Sequence, residues 1–329
     1  MRKKSHQLQW LEEMNQRGEL TKEEANIYQR LKLGYKGEVN FDKLCSYFLD
    51  KPFPMIDDVT LSYQENILQM DKIIVNDHTI TLIDIKNYHG QYTYVNNAWY
   101  AQQKLLPHNI YEQLRRAKRI TKRLLDDFHI NMKVEGVLIF MNPQSEITIK
   151  DEVAETTLTY EKISLWLMNL NENYRKCPTN GWDTVIQKHI IPSYRADYIC
   201  SEKRLAQLKK GIHCQNCGSF DMIQRRYTIN CASCGSNEPK DTAYTRTICE
   251  YGTIMHHYPL KNKAILQFFG DNYNKIYIRK ILKKHFIPQK NIGKKNIQYT
   301  NKGCLFEYWF EDSLDYFQKI EQRKLWNNN

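Results

Sequence analysis

No apolar run in this chain reaches the roughly 18–20 residues that a membrane-spanning helix needs, so no integral membrane role is expected. The N-terminal MRKKSHQLQWLEEM lacks the apolar stretch of a secretory signal. A disulfide framework is missing too: nine cysteines are an odd number. Four of them stand in two C-x-x-C pairs, a pattern of metal ligation in a reducing compartment. A soluble, cytoplasmic protein is the expectation. Acid is scarce in one region only. Residues 1–200 hold 26 Lys and Arg against 26 Asp and Glu, whereas residues 201–329 hold 22 against 11. The whole net charge of +11 therefore sits in the last third. That asymmetry points to a polyanionic partner, nucleic acid before membrane, because no basic lipid-facing helix accompanies it.

The stretch Asp71–Gly90, DKIIVNDHTITLIDIKNYHG, contains two β-rich runs around the turn-prone Asn76, Asp77 and His78. A two-residue loop at Asp77 and His78 makes cross-strand partners sum to 155, which sets Asp71 opposite Asp84. Strand alternation puts Lys86 on the same face as Asp84 and turns Ile83 and Ile85 away. Two facing carboxylates repel unless something positive lies between them. A hard cation such as Mg²⁺ fills that role with oxygen ligands, and a nearby Lys can orient or deprotonate water and stabilise charge on a phosphate. An Asp–Lys–Asp surface salt bridge is the plainer alternative.

Three ordered blocks, GYKGE at Gly34–Glu38, QMDKIIV at Gln69–Val75 and IDIKNYHG at Ile83–Gly90, resemble the nuclease-related domain (NERD) family over about residues 30–145. That family is similar to the PD-(D/E)xK nucleases. The resemblance implies a metal-dependent phosphodiesterase core of restriction-endonuclease-like fold, an α/β mixed sheet flanked by helices. Glu38, Asp71, Asp84 and Lys86 match the family's acidic and lysine positions, with Mg²⁺ or Mn²⁺ on Asp71 and Asp84. Asp84 stands where relatives often carry Glu. Asn109 and Gln113 match an N-x-x-x-Q block, which adds Gln113 to the expected catalytic set.

Periodicity supplies the surrounding elements. Residues 8–33 read as helix, with a capping box at Thr21 and Glu24 and an end at Gly34. A second helix is predicted from Gly37 to Leu49, its stripe Phe41, Leu44, Cys45 and Phe48, with Glu38 at the stripe's edge. Asp57–Ser62 reads as a strand, and Gln91–Val95 with Trp99–Gln103 as a hairpin across Asn96 and Asn97. Asn109–Phe128 is a basic helix with core positions Ile110, Leu114, Ala117, Ile120 or Thr121, and Leu124. Val134–Met141 reads as a buried strand, and residues 155–175 and 182–210 as helices.

Cys214, Cys217, Cys231 and Cys234 are spaced C-x₂-C-x₁₃-C-x₂-C, with Gly218 and Gly235 after the pairs. This predicts a zinc ribbon holding one structural Zn²⁺ with four thiolates and no open position. Adjacency to Cys214 makes His213 a poor ligand. Residues 261–302 read as helix, a turn near Gly270, a second helix and a basic hairpin, in the layout of a helix-turn-helix or small winged-helix domain. Arg279, Lys280, Lys283 and Lys284, with Tyr277, are predicted to face nucleic acid, joined by Lys294 and Lys295, while Ile276, Ile278, Ile281 and Leu282 help supply the core. The aromatic segment Leu305–Trp326 is expected to close this domain. The expected segments are 1–33 helical, 34–150 nuclease-like core, 151–210 helical extension, 211–240 zinc ribbon and 241–329 basic domain. The function expected is a metal-dependent nuclease acting on nucleic acid, DNA before RNA, with homodimerisation left open. The alternatives are a non-catalytic nucleic-acid binder on the same scaffold and a zinc-stabilised protein adaptor.

Overall fold

A computed structural model describes residues 2–191, 198–289 and 297–300. The chain divides into two compact units, Met1–Lys4 with Gln29–Tyr194, and Ser5–Tyr28 with Arg195–Asn329. Two helices come first, α1 (His6–Arg17) and α2 (Lys22–Phe48). The capping box forms as predicted: the Glu24 amide donates to Thr21 Oγ1 (3.2 Å) and the Thr21 amide to the Glu24 carboxylate (2.8 Å). Helix α2 does not end at Gly34, however, but runs unbroken through Gly34 and Gly37. Mid-helix glycine costs roughly 1 kcal/mol against alanine, and at Gly37 a tertiary contact explains its presence. A Cβ there would lie 2.6 Å from Asn87 Cβ.

The first unit is built on a five-stranded sheet. β1 (Met55–Tyr63), β2 (Asn66–Asn76) and β3 (Thr79–Lys86) form an antiparallel meander. After β4 (Gly90–Val95), β5 (Ala98–Ala101) and β6 (Lys104–Leu105), helix α3 (Ile110–Asp127) returns the chain to β7 (Lys133–Phe140). β7 runs parallel to β3, the usual outcome of a strand–helix–strand crossover. Then come β8 (Ser145–Ile149), β9 (Thr156–Leu158), α4 (Tyr160–Glu172) and α5 (Trp182–His189). The main sheet has the order β1-β2-β3-β7-β9, and a second sheet the order β6-β5-β4-β8. Asn96 and Asn97 both take left-handed φ, 53° and 61°, as a tight β4–β5 turn requires.

Alternation along the strands divides the core in two. Ile83, Ile85, Val137 and Ile139 pack with Phe41 and Cys45 of α2 and Ile163 and Leu167 of α4. Ile73, Val75, Ile80, Leu82 and Leu138 pack with Ile110, Leu114, Ala117 and Leu124 of α3. Gly136 permits that second contact, since a Cβ there would lie 2.8 Å from Leu114 Cγ and Lys118 Cδ. The mixed sheet between helices is the architecture expected. One detail differs: the segment read as a helix from residue 155 begins with strand β9, and α4 starts at Tyr160.

In the second unit, α6 (Glu202–Gln207) is a short helix rather than part of the long one expected over 182–210. A three-stranded antiparallel sheet follows, β10 (Met222–Gln224), β11 (Thr228–Cys231) and β12 (Asn237–Pro239). Next come α7 (Lys240–Ile254), β13 (Leu260–Lys261), α8 (Asn262–Phe269), α9 (Lys275–His285), β14 (Ile287–Pro288) and β15 (Gln298–Thr300). The last three strands pair in the order β13-β15-β14. Helix, strand, two helices and two strands closing one small sheet make the winged-helix layout. No described helix is long and apolar enough to cross a membrane.

Candidate functional site

The hairpin register is the predicted one, with Lys72 opposite Ile83, Ile73 opposite Leu82 and Asn76 opposite Thr79. Asp71 and Asp84 therefore sit at the open end of the β2–β3 pair. Asp84 and Lys86 continue the face of Ile80 and Leu82, and Asp71 continues that of Ile73 and Val75, so all three groups crown the α3 side of the core. Lys86 Nζ lies 2.7 Å from Asp84 Oδ1, and both side chains are largely buried. One Asp71 oxygen accepts from the Ile85 amide at 2.6 Å.

Electrostatics show what this arrangement lacks. Burial, then the nearby charges of Asp84 and Glu38, hold the Asp71 carboxyl well above the usual carboxylate range. Burial works to lower Lys86, but attraction to Asp84 and Asp71 outweighs it and pushes the ammonium up to about 12. A charged Lys86 suits stabilisation of negative charge on a phosphate. Asp84 Oδ2 is buried and has no hydrogen-bond partner among the described residues. A buried, unpaired carboxylate oxygen beside a second, repelled carboxylate fits a hard divalent cation.

A pH dependence follows. An acid with a raised folded-state pKa favours the protonated native state, so the metal-free fold loses stability as pH rises through that pKa. A divalent cation must displace the same proton. Cation uptake should thus strengthen with pH, by up to about tenfold per unit while one proton is released. Calorimetric titrations with Mn²⁺ in buffers of different ionisation enthalpy measure that proton.

Glu38 projects from α2 toward this end of the sheet. Burial raises its pKa, Arg2 pulls it down and Asp58 pushes it up again. Its carboxylate accepts from Arg2 Nη1 at 3.0 Å. The contact of Gly37 with Asn87 brings α2 against the residue following Lys86, and Asn87 Nδ2 donates to the Leu33 carbonyl (2.8 Å). Gln113 lies exposed, one turn into α3, and takes no part in the described contacts among these groups. Asn109 caps α3, its side chain accepting from the Tyr111 amide at 3.1 Å. Two residues that sequence reasoning passed over also border the site. Arg2 is one. Tyr88 is the other; Lys86 and Asp84 act on its phenol, and its ring stacks on Tyr92 with centroids 5.0 Å apart. Only the position of Tyr88 two residues past Lys86 hinted at it.

A second centre lies in the other unit. The four sulfurs of Cys214, Cys217, Cys231 and Cys234 lie within 4.8 Å of one another. Cys214 and Cys234 are 3.6 Å apart, and Cys217 and Cys231 are 3.5 Å apart. Thiolates about 2.3 Å from a tetrahedral zinc are about 3.8 Å from each other, so the cluster fits. Ser236 Oγ sits 2.9 Å from Cys214 and 3.2 Å from Cys234. The Ser236 hydroxyl and amide, with the Asn216 side chain, pull the Cys234 thiol down to about 5. His213 faces elsewhere, its Nε2 3.2 Å from Glu250. Buried Arg17 donates to the Lys209 and Gly211 carbonyls (3.0 Å each) and to Glu250 (2.5 Å), while Arg246 donates to the His213 carbonyl (2.8 Å). This network fixes the backbone that leads into the first cysteine pair.

On α9, Ile278, Ile281, Leu282 and His285 are buried. Arg279, Lys280 and Lys283 are exposed, as is Ile276 at 75%. Ile276 was expected in the core; its spacing of three, four and seven to the three cations instead puts it on their face. Lys284 and Tyr277 turn toward α7, where both bond to Asp241. Lys294, Lys295 and Leu305–Trp326 lie outside the described residues.

Comparison with known proteins agrees with the core reading. Residues 33–141 match the family model of the nuclease-related domain, NERD. No curated protein matches the chain. Among solved structures, the small subunit of the heterodimeric restriction endonuclease R.BspD6I matches over 55% of this chain and 86% of its own, at 11% identity and a TM-score of 0.22. So low a score says nothing further of this chain.

Proposed function

We propose that this chain, whose residues 33–141 match the nuclease-related domain family model, is a metal-dependent nuclease that hydrolyses phosphodiester bonds of DNA. The observation that supports the reading is Asp84, which meets Lys86 through one oxygen while its Oδ2 is buried with no partner among the described residues, on the sheet face that Asp71 shares. Asp71 and Asp84 would hold Mg²⁺ or Mn²⁺, with Glu38 at the edge. Such an ion, when bound, polarises a phosphate oxygen and supplies an acidified water. Lys86, held charged by the two aspartates, stabilises negative charge on the phosphate. Gln113, exposed at the start of α3, is assigned to contact with the substrate. The test is a cleavage assay on supercoiled, linear and single-stranded DNA and on RNA, with and without Mg²⁺ or Mn²⁺. Divalent-ion-dependent cleavage supports the reading; DNA binding without cleavage of any of these substrates leaves the non-catalytic alternative.

The remaining segments act as the grip. One structural Zn²⁺ on the four cysteines organises residues 211–240, and residues 241–329 bind nucleic acid through α9. Arg279, Lys280 and Lys283, aligned on one exposed face with Ile276, suit a groove in which cations meet phosphates and an apolar side chain meets a base edge. Lys284, Lys294 and Lys295 complete the set proposed from sequence. Replacing Arg279, Lys280 and Lys283 by alanine should weaken DNA binding about tenfold or more near 0.1 M salt. It should also flatten the log–log salt dependence by about 0.9 for each phosphate that the variant no longer neutralises. Fluorescence anisotropy across a salt series reads both. Free thiols and zinc ligation suit the cytoplasm.

A further inference from the structure

We propose that Arg2 is a positioning residue of the cation site, a single guanidinium that locks the Glu38 carboxylate to the main chain of Asp71. The inference rests on the nuclease reading and adds a residue outside the matched domain. The Arg2 side chain is 1% exposed. Its Nε donates to Asp42 Oδ2 at 2.9 Å and its Nη1 to Glu38 Oε2 at 3.0 Å. Its Nη2 reaches Asp42 Oδ1 at 3.3 Å and the Asp71 carbonyl at 2.8 Å. The Arg2 carbonyl itself accepts from the Tyr35 hydroxyl at 2.9 Å, which fixes the segment on α2.

The sheet makes the Asp71 carbonyl available. Asp57 pairs with Lys72 and Val59 with Met70, but the ladder skips Asp58 and Asp71. Asp58 has a φ of 49°, in the left-handed region where a strand residue rarely sits. Arg2 fills the gap that this kink leaves. Asp42 is not left to Arg2 alone, since Lys72 Nζ also pairs with it at 2.9 Å. Neutralising Asp42 therefore does not account for the reach of Arg2 to Glu38 and Asp71. Those two contacts need a planar fork with donors in several directions, which a lysine ammonium does not supply. The consequence is geometric: the acid on α2 and the acid on β2 keep a fixed separation before any cation arrives.

The test uses the full-length, zinc-loaded protein, with Mn²⁺ as probe and its free-ion electron paramagnetic resonance signal as readout. Arg2→Ala should raise the Mn²⁺ Kd about tenfold or more, the usual effect of removing a group that orients ligands. Arg2→Lys should raise it less, about threefold. Asp42→Asn, which leaves the Glu38 and Asp71 contacts in place, should lower Tm yet hold Kd within about twofold. If Arg2→Ala does not fold, the lysine variant decides. Folded variants that bind Mn²⁺ as the wild type does overturn this proposal alone. A wild-type protein that takes up no Mn²⁺ beyond its zinc overturns the nuclease reading, and this proposal with it.

Discussion

Asp84→Asn should abolish divalent-ion-dependent cleavage, with kcat down about a thousandfold or more, while the fold survives. The size follows from what the carboxylate does. It presents one oxygen to Lys86 and leaves the other buried and unpaired. Removing a group aimed at developing charge costs on the order of 10²–10³ even when it is only a hydrogen-bond donor, and a cation ligand should cost more. Stability should move the other way. Burial first, and then the charge of Asp84, hold Asp71 above its normal range; with that second cause removed, the Asn variant should melt no lower than the wild type. Lys86→Ala gives the opposite pairing, activity lost and stability lowered, because two buried carboxylates lose their cation. Plasmid nicking and thermal unfolding by circular dichroism separate the two variants. An Asp84→Asn protein that cuts at the wild-type rate would remove this residue from the mechanism.

Loss of the four-cysteine centre should have the largest effect on folding. Residues 211–240 contain three strands of three or four residues each, too little for a core of their own. Zinc-thiolate bonding in comparable peptides supplies about 10–16 kcal/mol at neutral pH, well beyond what so short a segment gains otherwise. Cys231→Ser, at a buried cysteine of the cluster, should therefore release one zinc equivalent and unfold this segment. DNA binding should fall with it, since α7, which follows directly in the chain, holds Tyr277 and Lys284 of α9 through Asp241. Mn²⁺ uptake by the Asp71 and Asp84 site should persist. Atomic absorption, amide exchange over residues 211–240 and DNA anisotropy measure the three effects. A Cys231→Ser protein that keeps full exchange protection would show that the segment folds without its metal.

Several parts of the fold were legible because one local rule decided them. The two-residue loop at Asp77 and His78 fixed the β2–β3 register, and alternation then carried Asp71, Asp84 and Lys86 to one face. The cysteine spacing and the α3 stripe were read in the same way. Other features were set by contacts distant in sequence. Gly34 looks like a helix end, yet α2 continues through it to Phe48, and the glycine at 37 is explained only by Asn87, distant in sequence. Helix α7 showed no stripe because it is buried nearly all round, with Arg246 and Glu250 inside it. Ile276 looked like core, but the groove beneath α9 is filled by Ile278, Ile281 and Leu282. Arg2 gave no sign of its place, since its side-chain partners lie 36 residues away or further.

The most direct measurement is anomalous diffraction from crystals of the zinc-loaded protein soaked in Mn²⁺, recorded on both sides of the manganese edge. A manganese peak is expected within bonding distance of one oxygen each from Asp71 and Asp84, with the Lys86 ammonium beside it. A well-ordered site with no manganese there, or with the two carboxyl groups directed away from each other, would contradict it.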